Sequence, residues 1–305
     1  MAEALHAVIP RRRVLARRGG PLRIAPVATL LAFSVPIVAG FVGTVLPAIG
    51  YLPAIGGDGL SLDAWRALAR APGVGTAVQA TLVTGWLAAL LSVVLALALV
   101  GFVHHRLWAR RLGEAMAPML AMPHSALAIG FAFLILPSGW LVRMVSPWLT
   151  GWDLPPDVAT VGHPSGAALV LALLLKEVPY LVLMLLAALN QVPAHAHVTV
   201  ARSLGYGPVQ AWFQVVLPQV YAQIRLPVYA VLAFSLSVVD VALILGPSNP
   251  PTLAVLAVRW FGDPDTSRVF QASAAAIVLL FVVAASIGVW HLGERIVGIL
   301  SLIHI

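Results

Sequence analysis

Apolar residues in this chain fall into long runs, without the 2- or 3.6-residue alternation that marks an element with one wet face. Six stretches stand out, at about 26–49, 75–103, 115–137, 166–190, 224–247 and 271–293. Each is long enough for a helix across a bilayer core of about 30 Å, which takes roughly 20 residues. Glycine and proline occur inside several of them, which membrane helices tolerate because neighbouring groups satisfy the freed backbone. The first stretch follows basic residues, as a secretory leader would. It is longer than the apolar region of about 7–15 residues in such a leader, and it contains Pro36 and Gly40, so a retained helix is expected. Leu253–Phe261 is apolar but too short to span. Trp260, with Trp140, Trp148 and Trp152, points to interfacial anchoring there, on a re-entrant or surface-lying helix. The expected fold class is an all-α polytopic membrane protein with six transmembrane helices. A basic terminus (1–25) precedes the membrane domain (26–299), and a short tail (300–305) follows it.

Composition strengthens this picture. The chain is 61% hydrophobic and only 10% charged, with mean hydropathy +0.98; a soluble domain carries about 25% charged residues. A soluble enzyme is excluded on that ground. The formal charge of +7 would fit a nucleic-acid binder, but the arginines are dispersed between apolar spans, where membrane orientation accounts for them better. Arg11, Arg12, Arg13, Arg17, Arg18 and Arg23 precede the first span; Arg106, Arg110 and Arg111 follow the second; Arg202 and Arg225 follow the fourth; Arg295 ends the sixth. The opposite side holds only Arg66, Arg70, Arg143, Arg259 and Arg268, together with six aspartates. Both termini are therefore expected in the cytoplasm, with the 191–223 connection on the same side. There is no cysteine, which excludes disulfides and thiolate metal sites.

That connection holds the most specific pattern in the chain. It reads Thr199-Val200-Ala201-Arg202-Ser203-Leu204-Gly205, then nine residues, then Val215-Val216-Leu217-Pro218. Ala194, Val198, Ala201 and Leu204 recur at helical spacing, so 194–204 is expected to be a short amphipathic helix. Gly205 and Gly207 are natural helix ends, and Pro208 stops further propagation. A second short helix is expected to start at Pro208 and to end before Pro218.

The Ala-x-x-x-Gly-x9-Val-x-Leu-Pro spacing resembles the cytoplasmic docking loop of type I importer permeases, the MetI-like inner-membrane subunits of binding-protein-dependent ABC transporters. The resemblance extends over roughly residues 70–295. Lys176-Glu177-Val178-Pro179 and the run from Ser237 to Pro247 make the chain look most like the YnjC-like branch, often built as two fused six-helix halves. The resemblance implies that Thr199, Ala201, Arg202, Ser203, Leu204, Gly205, Val215, Leu217 and Pro218 dock an ATPase. It further implies ABC ATPase subunits, an extracytoplasmic substrate-binding protein and a second permease half as partners, in a bacterial inner membrane. The family's loop usually opens Glu-Ala-Ala, whereas this chain has Thr199, Val200 and Ala201. The missing glutamate removes any ion pair from that position. The chain lacks a Gly-x-x-x-x-Gly-Lys-Ser/Thr loop, so ATP hydrolysis is expected in a partner and no catalytic residue or cofactor is expected here.

Three charges fall inside spans: Lys176 and Glu177 in the fourth, Asp240 in the fifth. A charge at mid-bilayer costs about 2.5–3.5 kcal/mol on insertion scales, so such groups face a bundle interior or a watery path. One expectation is structural, with Lys176 paired to Asp240. The other is a polar lining for the substrate path. The same residues also admit a second functional class, a proton relay in an ion-coupled secondary transporter. Pro179, Pro227 and Pro247 are expected to bend or break these helices. His104, His105, His195 and His197 read as solvated loop residues and His124 as a helix-bend or path residue, with no metal-site spacing. Ala272 with Ala276, and Ala284 with Gly288, form small-x-x-x-small pairs that favour close helix packing. Leu300-Ser301-Leu302-Ile303-His304-Ile305 resembles the translated end of a sequencing-library transposon, so the natural chain is expected to continue into a second six-helix half.

Overall fold

The computed structural model describes residues 24–103 and 108–303, with backbone alone for 108, 195 and 298–303. The arginines before residue 24, Arg106, His104, His105 and the last two residues of the tail lie outside the described residues. Six helical stretches among the described residues are long and apolar enough to cross a membrane: Ala25–Ala48, Val74–Val103, His124–Val145, Ala167–Leu189, Pro208–Ser237 and Arg268–Val297.

Among the described residues, those up to Gly43 belong to one unit and those from Thr44 onward to a second. The first unit holds most of α1 (Ala25–Ala48), a helix unbroken by Pro36 or Gly40. After the end of α1, the second unit continues with a small antiparallel hairpin, in which β1 (Tyr51–Leu52) pairs with β2 (Gly57–Asp58), Tyr51 opposite Asp58. It continues through α2 (Asp63–Arg70), α3 (Val74–Val103), α4 (Trp108–Ala121), α5 (His124–Ile135), α6 (Trp140–Val145) and α7 (Ala167–Leu189). Next come α8 (Ala194–Ser203), α9 (Pro208–Ala211), α10 (Leu217–Ser237), α11 (Asp240–Leu245), α12 (Leu253–Phe261) and α13 (Arg268–Ile303).

The core of the second unit is α3, α7 and α10, packed on one another, with α4 on α7 and α13 on α10. In lipid, apolar side chains gain little by leaving the solvent, so helix association relies on close packing of small residues. The buried face of α3 fits that rule: Ala77, Gly85, Ala88, Ala89, Ser92 and Ala96 are all buried. A Cβ at Gly85 would collide with Leu236 of α10.

The third span departs from the expected 115–137 helix. It breaks at Met122-Pro123, and α4 and α5 flank the break. Pro123 lacks an N–H and its ring opposes the carbonyl of the preceding turn, which ends α4 there. Pro118, Pro179 and Pro227, by contrast, lie inside continuous helices. The fifth span breaks at Val238-Val239 instead of at a proline, between α10 and α11. Ser237 turns its hydroxyl back to the Ala233 carbonyl, and Asp240 opens the first turn of α11, where a carboxylate suits the positive helix end.

The helix expected to end before Pro218 runs on. α9 passes through one wide turn at Trp212–Val216 straight into α10, with the Leu217 N–H bonded to the Trp212 carbonyl. The i→i+5 turn accommodates Pro218, which has no N–H to offer a regular ladder. α12 is a helix as expected, but Trp260 is buried and is not an interfacial anchor; Trp140, Trp148 and Trp152 are exposed. Of the small-residue pairs, Ala272 is buried in the bundle while Ala284 and Gly288 are exposed.

Gly85→Val should crowd α3 against α10 and lower stability by about 1–3 kcal/mol, the usual cost of overpacking. Thermal unfolding in detergent checks this, and an unchanged melting temperature would contradict the packing.

Candidate functional site

Two places bring the expected residues together: the α8–α9 turn and the breaks in the third and fifth spans.

At the turn, Val198 and Ala201 point inward and are buried. They pack in one cluster with Trp212 and Val216 of the wide turn, Val93 and Val100 of α3, and Leu185 of α7. Gly101 of α3 lies so close to Trp212 that a Cβ would clash with its indole. Gly205 has φ +90°, a conformation that glycine adopts without strain, and its N–H bonds to the Arg202 carbonyl at 3.0 Å. The Tyr206 N–H returns to the Ala201 carbonyl at 3.1 Å, so the last carbonyls of α8 are satisfied within the turn. The Ser203 hydroxyl bonds to the Val200 carbonyl.

The expected docking residues therefore divide. Ala201 is buried and Val215 and Leu217 are half-buried, so these three shape the turn. Thr199, Arg202, Ser203, Leu204, Gly205 and Pro218 are exposed. Leu204 was expected on the buried face of α8; it lies beyond the helix end and is 72% exposed. Val200, Val209 and Phe213 are exposed too, and spacing alone did not single them out. They give the turn an apolar outward surface. A cleft of about 1190 Å³ lies beside it, lined by α4 (Arg110, Gly113), the end of α7 (Leu186, Asn190) and the start of α8 (Pro193, Ala194).

A polar ladder joins α10 to α13 just beyond the wide turn. Glu294, its side chain only 10% exposed, accepts from the Tyr221 hydroxyl at 2.5 Å, the Tyr229 hydroxyl at 2.7 Å and the Arg225 Nε at 3.0 Å. The Trp290 indole N–H donates to the Tyr221 oxygen at 2.9 Å, and its ring stacks on Trp86 of α3 at 5.5 Å. The sequence reading missed this ladder. Its signal was present as Tyr221, Arg225 and Tyr229, four residues apart and so on one face of a helix.

At the third-span break, the expected Lys176–Asp240 pair is replaced by a different arrangement. Lys176, 4% exposed, donates to the carbonyls of Met119 (3.0 Å), Leu120 (3.3 Å) and Met122 (2.7 Å). An ammonium has three donors and no acceptor, and α4 ends in carbonyls that Pro123 leaves without partners. The cation also suits the negative end of α4. Lys176 thus ties the fourth span to the third, not to the fifth. Asp240 is exposed, and Glu177 is buried. A cavity of about 220 Å³ opens here, lined by Leu120, His124, Lys176, Glu177, Tyr180 and Phe234, among others. The His124 and Phe234 rings contact each other at a tilt of 47°, with centroids 4.9 Å apart.

Other expectations resolve simply. His197 was expected to be solvated; it is half-buried, with its Nδ1 unpartnered among the described residues. No cluster of metal-ligating side chains occurs among the described residues. At the end of the bundle opposite the α8–α9 turn, a basin of about 820 Å³ is lined by Asp58, Asp63, Arg70, Asp265 and Arg268, among others. The hydroxyl and N–H of Ser267 bond to Asp265 and hold its carboxyl below the ordinary carboxylate range.

Comparison with known proteins agrees with this geometry. A curated relative, the inner membrane ABC transporter permease protein YnjC of Escherichia coli (strain K12), is 35% identical over 269 residues, covering 87% of this chain and 48% of that protein. The chain thus spans about half the length of the curated relative it matches. A crystal structure of a bacterial ABC transporter involved in the import of the acidic polysaccharide alginate aligns with TM-score 0.66 at 17% identity, covering 90% of this chain and 98% of that one. A second structure, of a bacterial alginate ABC transporter in complex with an alginate pentasaccharide-bound periplasmic protein, aligns with TM-score 0.66 at 18% identity, covering 90% and 97%. No family model matches the chain. The resemblance read from the 199–218 loop is borne out: the chain is similar to an ABC transporter permease and has the fold of ABC importer permeases.

Lys176→Met should leave the α4 carbonyls without donors. At about 1–3 kcal/mol for a buried polar group left unsatisfied, the expected loss of stability is roughly 2–4 kcal/mol. Unfolding in lipid nanodiscs measures it; a melting temperature equal to that of the unaltered protein would contradict the capping role.

Proposed function

We propose that this chain is the membrane-spanning permease component of an ATP-driven importer in a bacterial inner membrane. The observation that carries the reading is the α8–α9 turn: a rigid helix anchored by Val198 and Ala201, closed by Gly205, and presenting Leu204, Val200 and Val209 outward. The 35% identity to an inner membrane ABC transporter permease supports it independently.

In this reading the turn faces the cytoplasm and seats in a cleft of an ABC ATPase subunit. Both termini lie on that side, as the distribution of arginines favours. Residues 26–299 form the permease domain. ATP is bound and hydrolysed by the partner, since the chain carries no phosphate-binding loop. A second permease half, fused or separate, completes the path with the broken third and fifth spans of this one. An extracytoplasmic binding protein delivers substrate to the opposite face, where the 820 Å³ basin and its charged residues offer a polar contact surface. The continuous α9–α10 segment carries ATPase motion inward, and the Tyr221–Glu294 ladder passes it to α13. Thr199 stands where the family's glutamate usually stands, so docking here relies on shape and apolar contact.

An ion-coupled carrier would need Lys176, Glu177 and Asp240 as a relay. Lys176 is instead committed to main-chain carbonyls of the third span.

Gly205→Glu adds a charged side chain into open space, with a backbone strain of about 1–3 kcal/mol for a non-glycine residue at φ +90°. The protein should still insert and fold, while co-purification of the ATPase should fall at least tenfold, equivalent to about 1.4 kcal/mol or more of binding energy. Retained co-purification would remove the docking assignment.

A further inference from the structure

We propose that the cavity between the two helix breaks binds a small organic cation, or the cationic head of a larger solute. The proposal rests on the permease reading and deepens it, since this cavity then belongs to the transport path.

The position is unusual in itself. Helical hydrogen bonding stops at Met122-Pro123 and at Val238-Val239, the first of these in contact with Lys176 near the middle of α7, and α5 packs against α11 beside the breaks. Irregular backbone at membrane depth persists only where it is buried in protein or lines a water-filled cavity. His124, the first residue of α5, and Phe234, in the last turn of α10, both line the 220 Å³ space beside the breaks.

The charges decide the sign of the ligand. Lys176 is the cation nearest the cavity, but its three donors go to the Met119, Leu120 and Met122 carbonyls. An ammonium held in this way has no donor left for an anionic ligand. Glu177 lines the same cavity and is absent from the ion pairs of the described residues. Asp240 adds a second negative charge at the neighbouring break. The negative end of α4 and the positive end of α5 meet at one break and offset each other. The cavity lining thus holds one cation committed to main-chain carbonyls and one carboxylate, with Asp240 a further negative charge on the adjoining α11. With the Lys176 donors turned to those carbonyls, Glu177 is the charged side chain of the lining left to meet a ligand, and a bound cation complements it.

The walls favour the same class. Phe234, Tyr180 and His124 present ring surface to the cavity, and the faces of aromatic rings attract cations within about 6 Å of their centroids. The space is smaller than pockets for drug-sized ligands, which run to about 300–1000 Å³, so one small ammonium group fills it. A carboxylate beside aromatic rings has soft, directionless complementarity, which suits an alkylated ammonium better than a metal ion. Among the described residues, no cluster of three metal-ligating side chains is present to hold a metal.

The test is equilibrium dialysis of the full chain in lipid nanodiscs against radiolabelled tetramethylammonium, with pivalate as the anionic probe of similar shape and tert-butyl alcohol as the neutral one. Saturable binding of tetramethylammonium alone is expected. Glu177→Gln should weaken it by about tenfold or more, as expected for loss of an interaction to a charged group. Phe234→Leu, which keeps the carboxylate, should weaken it several-fold and serves as the reading where Glu177→Gln does not fold. Glu114→Gln, at an exposed pair with Arg110, should leave it unchanged. Tighter binding of pivalate, no saturable binding of the cation to folded protein, or undiminished binding by Glu177→Gln would each overturn the proposal. The two readings fail separately: cation binding without ATPase co-purification removes the importer but keeps the site, whereas co-purification without cation binding removes only the site.

Discussion

The contact of the Lys176 ammonium with the end of α4 is the constraint on which the middle of this protein depends. Pro123 breaks the third span inside the membrane, where water cannot satisfy the freed carbonyls. One buried side chain from the fourth span reaches three of them. The charge that would be costly at mid-bilayer and the carbonyls that would be costly without donors thus offset one another. Pro123 parts α4 from α5, and this contact supplies the donors that the parting takes away. The cavity lined by Glu177, His124 and Phe234 exists because they part.

A second set of contacts connects that cavity to the surface turn. The buried face of α8 locks into the same apolar cluster as Trp212, Val93 and Leu185, so the turn is fixed to α3 and α7. The wide turn at Trp212–Val216 lets α9 continue into α10 despite Pro218. Glu294 then binds three donors on one face of α10 from its place on α13. α9 and α10 therefore form one continuous segment from the turn to Phe234, a cavity wall in the last turn of α10. The polar ladder joins this segment sideways to α13, so packed side chains and paired charges connect the turn to the cavity.

Much of this was legible in the sequence. Runs of apolar residues longer than a bilayer is thick gave six spans, because lipid leaves no other way to satisfy a crossing backbone. The Gly205 turn was legible because a helix end in the left-handed region favours glycine. The partner of Lys176 was not. Charge-pairing logic points to Asp240, while the structure uses carbonyls exposed by a proline in another span, a three-dimensional coincidence that spacing does not encode. The fifth-span break was also missed, because it falls at Val238-Val239 and not at Pro227, which α10 accommodates. Leu204 matched the periodicity of the buried face, but α8 ends one residue earlier and the side chain swings outward. The Glu294 ladder escaped notice because its carboxylate lies far along the chain from the tyrosines it joins.

The central claim is that the α8–α9 turn is the ATPase contact and faces the cytoplasm. The chain has no cysteine, so Leu204→Cys creates a single thiol at the tip of the turn. The decisive measurement is its labelling by a membrane-impermeant thiol reagent in inside-out and right-side-out vesicles, with and without the co-expressed ATPase. The account predicts labelling in inside-out vesicles only, and protection when the ATPase is present. Labelling from the outer face, or labelling that the ATPase leaves unchanged, would contradict it.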